Sequence, residues 1–462
     1  MPQPATGSGG AVLDDASLLN PTRVHKHITL HEDPDAALIA RLRAELAEAR
    51  QARRPFVVSA ARHSMGGQSL AQQATAVTLD QEWIEPDTSA MTYRVAAGKR
   101  WSTVIRDLDR IGYSPKVMQS NNDFGVGSTF CVNAHGWPVS HGPAGSTVRL
   151  IRLMLPDGEV VDCSRQSNAD LFNQSMGGYG LTGAIIDMEI EMVPNRRLVP
   201  VFEAMPAEEF GTRFVEKLAA DPAIEMAYGR LDMTISSFMH EALMITYTPT
   251  DDQGDLPEVA GSGMMSRVAR QIFRRQLGSD RLKRFRWWSE TAVGPRISSG
   301  EVTRNSLINE PVITLDDRDP ARTDILHEYF VPPGRFADFI RACREVIPSS
   351  YQELLNVTLR YVDTDAESWL AYAPGPRIAA VMLFSQEMSL RGEADMHRMT
   401  GALIERVLAI GGTYYLPYRL HATDAQFRRG YRRAGEFVAA KRALDPDLVF
   451  TNLMWDRYMA SI

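Results

Sequence analysis

The stretch Pro55-Phe56-Val57-Val58-Ser59-Ala60-Ala61-Arg62-His63-Ser64-Met65-Gly66-Gly67-Gln68 decides how this chain is read. A short apolar strand over residues 56–60 delivers a glycine-rich turn with a histidine at its lip. Glycine lets freed backbone N–H groups approach an anion closely, so such a turn can cradle a pyrophosphate. The imidazole of His63 can serve there as nucleophile, acid/base or covalent tether. An ordinary loop uses the same residue types, so the weight of the motif comes from two further glycine-rich segments downstream.

At 462 residues the chain exceeds what one hydrophobic core covers, and two or more domains are expected. Hydrophobic residues at 44% and charged residues at 23% place it among globular proteins. A formal net charge of −7 argues against a general nucleic-acid binder, which needs a basic field. Cys131, Cys163 and Cys343 lie far apart without C-x-x-C pairing, which excludes a disulfide framework or Cys-rich zinc site and fits a reducing compartment. Residues 1–18 have neither a basic start nor an apolar centre, so they read as a disordered lead-in rather than a secretory signal. No run reaches the ~18 apolar residues that span a bilayer. The expected location is cytoplasmic, and no metal site is expected.

Apolar residues at helical spacing (Leu38, Ile39, Leu42, Leu46) predict an amphipathic helix over 35–52. Strands follow near 56–60, 76–79 and 93–97, then a helix over 101–111 carrying Trp101, Val104, Ile105 and Leu108. This alternation suggests an α+β or α/β nucleotide-binding domain. Residues 148–155 and 159–162 flank Pro156-Asp157-Gly158 and predict a hairpin. A short helix opens at Asp170, and residues 184–193 alternate like a strand up to a boundary at Pro194-Asn195. The organisation expected is a lead-in (1–18), a cofactor domain (19–197), a substrate or cap domain (198–410) and a C-terminal segment (411–462) returning to the first domain. Residues 266–288 hold eight Arg/Lys against the single acid Asp280, with Phe273, Phe285, Trp287 and Trp288 interleaved. The run reads either as a peripheral membrane or anionic-substrate contact or as a solvated basic helix or loop.

The second segment runs Ser120-Asn121-Asn122-Asp123-Phe124-Gly125-Val126-Gly127-Ser128 into Cys131-Val132-Asn133-Ala134-His135-Gly136. Small residues at Gly125, Gly127 and Ser128 permit close approach to a planar or diphosphate ligand. It is not a Rossmann fingerprint, since the third glycine and the acidic ribose partner are missing. His135 and His141 lack a third ligand for a metal. The third segment is Gly177-Gly178-Tyr179-Gly180-Leu181-Thr182-Gly183-Ala184-Ile185.

In combination these segments resemble the vanillyl-alcohol-oxidase, or PCMH-type, FAD-linked oxidoreductases. The resemblance covers about residues 19–195 and 411–456 and is loose between them. Alditol oxidase, aldonolactone oxidases and decaprenylphosphoryl-ribose oxidase look nearest. It implies an α+β fold: a PCMH-type FAD-binding domain plus a cap domain with a mixed or antiparallel sheet flanked by helices. Ala61, Arg62, His63, Ser64, Met65, Gly66 and Gln68 match the loop that wraps the FAD pyrophosphate. His63 stands where alditol-oxidase-like members bond the flavin 8α methyl group, which implies covalent 8α-histidyl FAD. Decaprenylphosphoryl-ribose oxidase has no histidine there. Bicovalent members carry a cysteine before the second loop, where this chain has Ser120-Asn121-Asn122. A second tether is therefore not expected, and Cys131 reads as a packed thiol. Gly125, Gly127, Ser128, Asn133, His135 and Gly136 match the loop lining the diphosphate and isoalloxazine, with Ser128 replacing a glycine. Gly178, Gly180, Gly183 and Ile185 match the segment on the adenine side. Asp445-Pro446 through Phe450 resembles the closure that packs back on the FAD domain.

The implied activity is oxidation of a CH–OH group of a sugar, polyol or aldonolactone by hydride transfer to FAD. Oxygen, a quinone or a cytochrome would be the electron acceptor. Alternatives are a lipid-linked-sugar oxidase at a membrane surface and a redox-inactive flavin-binding protein. Candidate catalytic groups are Tyr418, Arg419 and His421, with Asn356 and Arg360 from a strand that presents Asn356, Thr358 and Arg360 on one face. Tyr418 falls where decaprenylphosphoryl-ribose oxidase has its active-site lysine, so that lysine is absent. Alternation along residues 414–418 predicts a strand with Tyr414, Leu416 and Tyr418 on one side. His327, on the strand over 325–330, reads as a satisfied core histidine.

Overall fold

The computed structural model describes residues 10–32, 35–259, 276–293, 301–311 and 319–462. Residues 266–275 of the basic-aromatic run, and residues 1–9, lie outside the described residues. Short strands β1 (Val12–Leu13) and β2 (Thr22–Arg23) pair antiparallel. Part of the expected disordered lead-in is thus structured. The carboxylate of Asp15 accepts from the Gly67 N–H at 2.8 Å and from Asn20 Nδ2 at 2.7 Å, which fastens residues 15–20 to the first glycine turn.

The first domain has two sheets. In the smaller, β3 (Lys26–Leu30), β4 (Phe56–Ser59) and β5 (Thr75–Leu79) run parallel in the order β3-β5-β4. The helix Asp35–Gln51 connects the outer two, with Leu38, Leu42 and Leu46 buried as its spacing predicts. In the larger sheet are β6 (Ile84–Asp87), β7 (Thr92–Ala96), β8 (Tyr113–Pro115), β9 (Val148–Met154), β10 (Val160–Ser164) and β11 (Ala184–Pro194). They are antiparallel in the order β10-β9-β11-β7-β6, with β8 beside the end of β11, and β9 and β10 form the expected hairpin. The helix Trp101–Asp109 seals this core with Trp101, Val104, Ile105 and Leu108.

The second domain is built on β12 (Arg197–Pro206), β13 (Met226–Leu231), β14 (Glu241–Pro249), β15 (Val302–Thr303), β16 (Arg322–Val331), β17 (Glu353–Val362), β18 (Arg377–Glu387) and β19 (Thr413–Tyr414). All pairs are antiparallel, in the order β15-β12-β14-β13-β17-β18-β16-β19. Helices Phe210–Ala220, Phe336–Val346 and Leu390–Ala409 bury Phe210, Phe214, Phe336, Phe339 and Leu403 in the core of this domain. Strand alternation sends the other face toward the first domain, where Met226, Leu243, Ile245 and Tyr247 join its core. The sheet is therefore the wall between the two domains.

The C-terminal segment closes the structure. Asp445 ends the helix Ala434–Leu444 and accepts from the N–H groups of Val449 at 3.0 Å and Phe450 at 2.9 Å. Its other partner is Lys441, an ion pair with no exposed side-chain surface to speak of. This turn delivers Phe450 edge-on to Phe56, with ring centroids 5.6 Å apart, and the Phe56 N–H donates to the Val449 carbonyl. The segment also serves the second core through Met454, Trp455 and Tyr458.

Candidate active site

The three glycine segments converge. A Cβ on Gly125 would stand 2.4 Å from the Cβ of Ala60, and one on Gly127 would stand 2.8 Å from that of Ala97, so the second segment lies directly on the first domain's strand ends. The N–H groups of Gly177 and Tyr179 donate to the carbonyls of Phe130 and Cys131, joining the third segment to the second. Asn452 closes the ring: its Nδ2 donates to the Gln68 carbonyl at 2.8 Å and the Tyr179 carbonyl at 3.1 Å. Each segment also holds one non-glycine residue in the left-handed region, Arg62 (φ 52°), Asn133 (φ 47°) and Tyr179 (φ 55°). Such backbone costs on the order of 1 kcal/mol or more per residue and gathers at ligand clamps.

In the first segment, Ala61 follows the bend at Ala60, and Arg62 turns its guanidinium back to Thr78 Oγ1 at 2.8 Å. That leaves His63 at the lip, with its Nε2 3.7 Å from Asp123 Oδ2 and its ring 4.6 Å from that of Phe124. Burial, with help from the Arg100 charge, lowers the His63 pKa against the opposing pull of Asp123, which favours the neutral imidazole. Ser64 accepts from Ala16 through its carbonyl, Met65 donates its N–H to the Pro417 carbonyl, and the Gly66 N–H is held by Gln68 Oε1. Gln68 Nε2 bonds to the carbonyls of Leu416 and Tyr418.

These bonds correct one expectation. The strand predicted over 414–418 stops at Tyr414, because Pro417 has no N–H and the carbonyls of Leu416, Pro417 and Tyr418 are taken by the first segment. The predicted alternation of Tyr414, Leu416 and Tyr418 on one strand face is therefore absent.

In the second segment, Ser120 Oγ accepts from Arg360 at 2.8 Å, and Asn121 is bridged to Glu310. Gly125, Gly127 and Ser128 open the helix Val126–Cys131, and burial pushes the Cys131 thiol up to about 12, so it stays protonated. Asn133 Nδ2 donates to Asp365 while its Oδ1 accepts from the Gly145 N–H. Gly136 packs its Cα against the Met118 carbonyl. In the third segment Gly178 and Gly183 pack on backbone carbonyls and Ile185 is buried in β11, while Gly180 (φ 70°) has open space where a Cβ would stand.

Where the segments meet the sheet wall lies a carboxylate that sequence reading passed over. Glu328, buried on β16, places Oε1 2.5 Å from His135 Nε2 and accepts from the Tyr418 hydroxyl at 3.2 Å through Oε2. The Arg360 guanidinium bonds to the His135 carbonyl at 3.3 Å and lies within Coulomb range of Glu328. Burial and the Glu328 charge raise the Tyr418 pKa well above its usual value, so the hydroxyl remains a donor. His135 Nδ1 is buried without a protein partner. The structure thus brings Tyr418, Arg360 and His135 together. It takes Arg419 and His421 elsewhere: both bind Glu393, Arg419 Nη1 also reaches Asn20, and His421 Nδ1 meets Thr400 Oγ1 at 2.7 Å. Asn356 lies further along the wall, where Arg230 Nη1 donates to its Oδ1 at 2.9 Å. His327 is buried as expected, but its Nε2 has no partner among the described residues, so it is not the satisfied core histidine that was expected. The clue to Glu328 is an acid within the mostly apolar run Ile325–Val331, a position where acids are rarely buried without partners.

Residues 36–164 match the family described as FAD binding domain. Residues 36–164 therefore form an FAD-binding domain. With the sheet wall and its helices, this is the two-domain, α+β, PCMH-type fold. The chain is similar to cytokinin dehydrogenase 9 of Oryza sativa subsp. japonica, 28% identical over 144 residues (30% of this chain, 27% of the relative). It is also similar to L-gulonolactone oxidase of Mus musculus, 28% identical over 116 residues (25% of this chain, 26% of the relative). A putative D-arabinono-1,4-lactone oxidase of Neurospora crassa is 28% identical over 100 residues (22% and 18%). The chain therefore spans about a quarter of the length of these curated relatives.

The converging loops suit FAD: close-packed glycine backbone, open space beside Gly180 and a half-buried imidazole at the lip form a cradle for a dinucleotide. Among the described residues no helix is long and apolar enough to cross a membrane.

Proposed function

We propose that this chain is an FAD-linked oxidoreductase oxidising a CH–OH group of a sugar, polyol or aldonolactone, with its FAD bonded covalently to His63. The observation that carries the reading is Glu328, a buried carboxylate held by His135 and Tyr418 where all three glycine segments abut the wall. The bound flavin supplies a two-electron acceptor. The protein must then bind the hydroxyl, orient it and take its proton. Tyr418, held protonated, donates a hydrogen bond to the substrate oxygen or to Glu328. Glu328, whose Oε1 stays hydrogen-bonded to His135, accepts the hydroxyl proton at Oε2. Arg360 limits the cost of the buried carboxylate and fixes Ser120 beside the loop that ends at Asp123 and His63. The neutral His63 imidazole has the free lone pair that a covalent tether needs. The similarity to a gulonolactone oxidase supports a sugar-derived substrate. Oxygen, a quinone or a cytochrome would reoxidise the flavin.

A lipid-linked sugar at a membrane surface is the second reading, favoured by exposed Phe285 and Trp288 beside Arg281 and Arg284 on the helix Asp280–Trp288. Anaerobic bleaching of the flavin tests both. Bleaching by sugars, polyols or aldonolactones supports the first reading, and bleaching only by a prenyl-phosphoryl sugar supports the second. No bleaching by any alcohol leaves a redox-inactive flavin binder.

A further inference from the structure

The strand register sets a row of side chains across the wall: Arg230 of β13 is paired with Thr358 of β17, Thr358 with Val381 of β18, and Val381 with Glu328 of β16. Three strand spacings place the backbones of Arg230 and Glu328 about 14 Å apart on the same face. Arg230 is half-buried. Its Nη1 donates to Asn356 Oδ1 at 2.9 Å and Thr358 Oγ1 at 3.0 Å, and its guanidinium lies 5.5 Å from the ring centre of Tyr228. Among the described residues it forms no salt bridge, although it lies within Coulomb range of Glu290, and it donates hydrogen bonds through Nη1 alone. Arg286 reinforces the arrangement by donating to the same Asn356 Oδ1 at 2.9 Å, but Glu290 neutralises it at 2.7 Å. Arg360, next along β17, keeps a buried Nε without a partner. Among the described residues three guanidiniums thus face two carboxylates, Glu290 and Glu328; Glu290 is bonded to Arg286 and reaches Arg230 only at a distance, which leaves Arg230 the least compensated. A guanidinium held by neutral acceptors, with spare donors and an aromatic ring behind it, is built to receive an oxyanion.

We propose that the substrate carries an anionic group, a carboxylate or a phosphate ester, which docks on Arg230 while its reacting hydroxyl lies at Glu328. The ~14 Å between the two backbones is a distance that a sugar-sized molecule and the two side chains together would bridge, so the substrate class is a sugar acid or sugar phosphate rather than a neutral polyol. This rests on the CH–OH oxidase reading above, but its binding part is tested apart from turnover.

Titration calorimetry of the flavin-loaded protein would compare sorbitol, D-gluconate and D-glucose 6-phosphate, followed by anaerobic bleaching with each. At least tenfold tighter binding of gluconate or the phosphate than of sorbitol is expected, weakening as KCl is raised. Preference between the two names the anion. Arg230→Gln should weaken binding of gluconate or the phosphate at least tenfold more than binding of sorbitol. Arg230→Lys, which keeps the charge and loses the fork, should retain part of it and covers the case in which the glutamine variant misfolds. Equal binding of sorbitol and both anions, or an anion preference that survives Arg230→Gln, overturns the proposal. Arg230-dependent anion binding without bleaching by any compound would leave the docking site standing and overturn the oxidase reading. Bleaching by sorbitol with no anion preference would do the reverse.

Discussion

Glu328 and His135 meet across the domain boundary, Oε1 to Nε2 at 2.5 Å, although 193 residues separate them in the chain. Each comes from a different architectural part: Glu328 from a strand of the wall and His135 from the exit of the second glycine segment. The rings of Phe330, Tyr372 and Tyr415 surround the imidazole at 5.3, 5.9 and 6.0 Å and shut out water. In such surroundings a polar pair gains strength because competing solvent is absent, and the loss of one member leaves the other unsatisfied.

Glu328→Gln keeps the shape and the bond to Tyr418 but removes the proton acceptor. Anaerobic flavin reduction by a working substrate should slow by about 10²–10⁴-fold, the usual contribution of a positioned acid/base. Substrate KM should change far less than the rate. Reduction at the wild-type rate would exclude Glu328 from proton removal.

The tether has a colour test. Acid-precipitated wild-type protein should leave yellow flavin in the pellet, and His63→Ala should release it to the supernatant while the protein still folds. The ring of His63 rests against Phe124 and Asp123 at the lip of the turn, outside the main cores, so little packing is lost. Colour in the supernatant from wild type would remove the covalent link.

What the amino-acid order makes legible here is whatever depends on near neighbours. The helix at residues 35–51, the hairpin around Pro156-Asp157-Gly158 and the strand carrying Asn356, Thr358 and Arg360 follow from local periodicity and turn chemistry. Residues 414–418 alternate convincingly yet form no strand beyond Tyr414, because donors some 350 residues away claim their carbonyls. Glu328 and Arg230 stay hidden for the same reason: their partners His135, Tyr418, Asn356 and Thr358 are 90 or more residues distant. Arg419 and His421 look equivalent to Tyr418 by position, and only the fold turns them toward Glu393.

Asp445 is the anchor of the C-terminal return. Its carboxylate is fully buried, neutralised by Lys441 and bonded to two backbone N–H groups. Asp445→Asn leaves a buried ammonium without its counter-charge, a change that costs about 3–5 kcal/mol. Denaturant unfolding should show that loss, and limited proteolysis should cut the released segment after residue 444. A midpoint within error of wild type would mean that the pair does not hold the segment.

His141 ties stability to pH. Burial, with Lys116 and Arg304 adding to it and Glu191 and Asp363 opposing, lowers its folded pKa to about 4. Its unfolded value is about 6.5. Between those values the unfolded chain holds more protons, so this residue favours folding above pH ~6.5 and that contribution falls away progressively as pH drops toward 4. Because the ring is not fully buried, the stake is on the order of 1–2 kcal/mol rather than the full value of the shift. Urea midpoints measured from pH 7.5 to 4 should therefore decline less steeply in His141→Asn than in wild type, with the two curves converging as pH falls. Parallel curves over that range would mean that other groups carry the acid sensitivity.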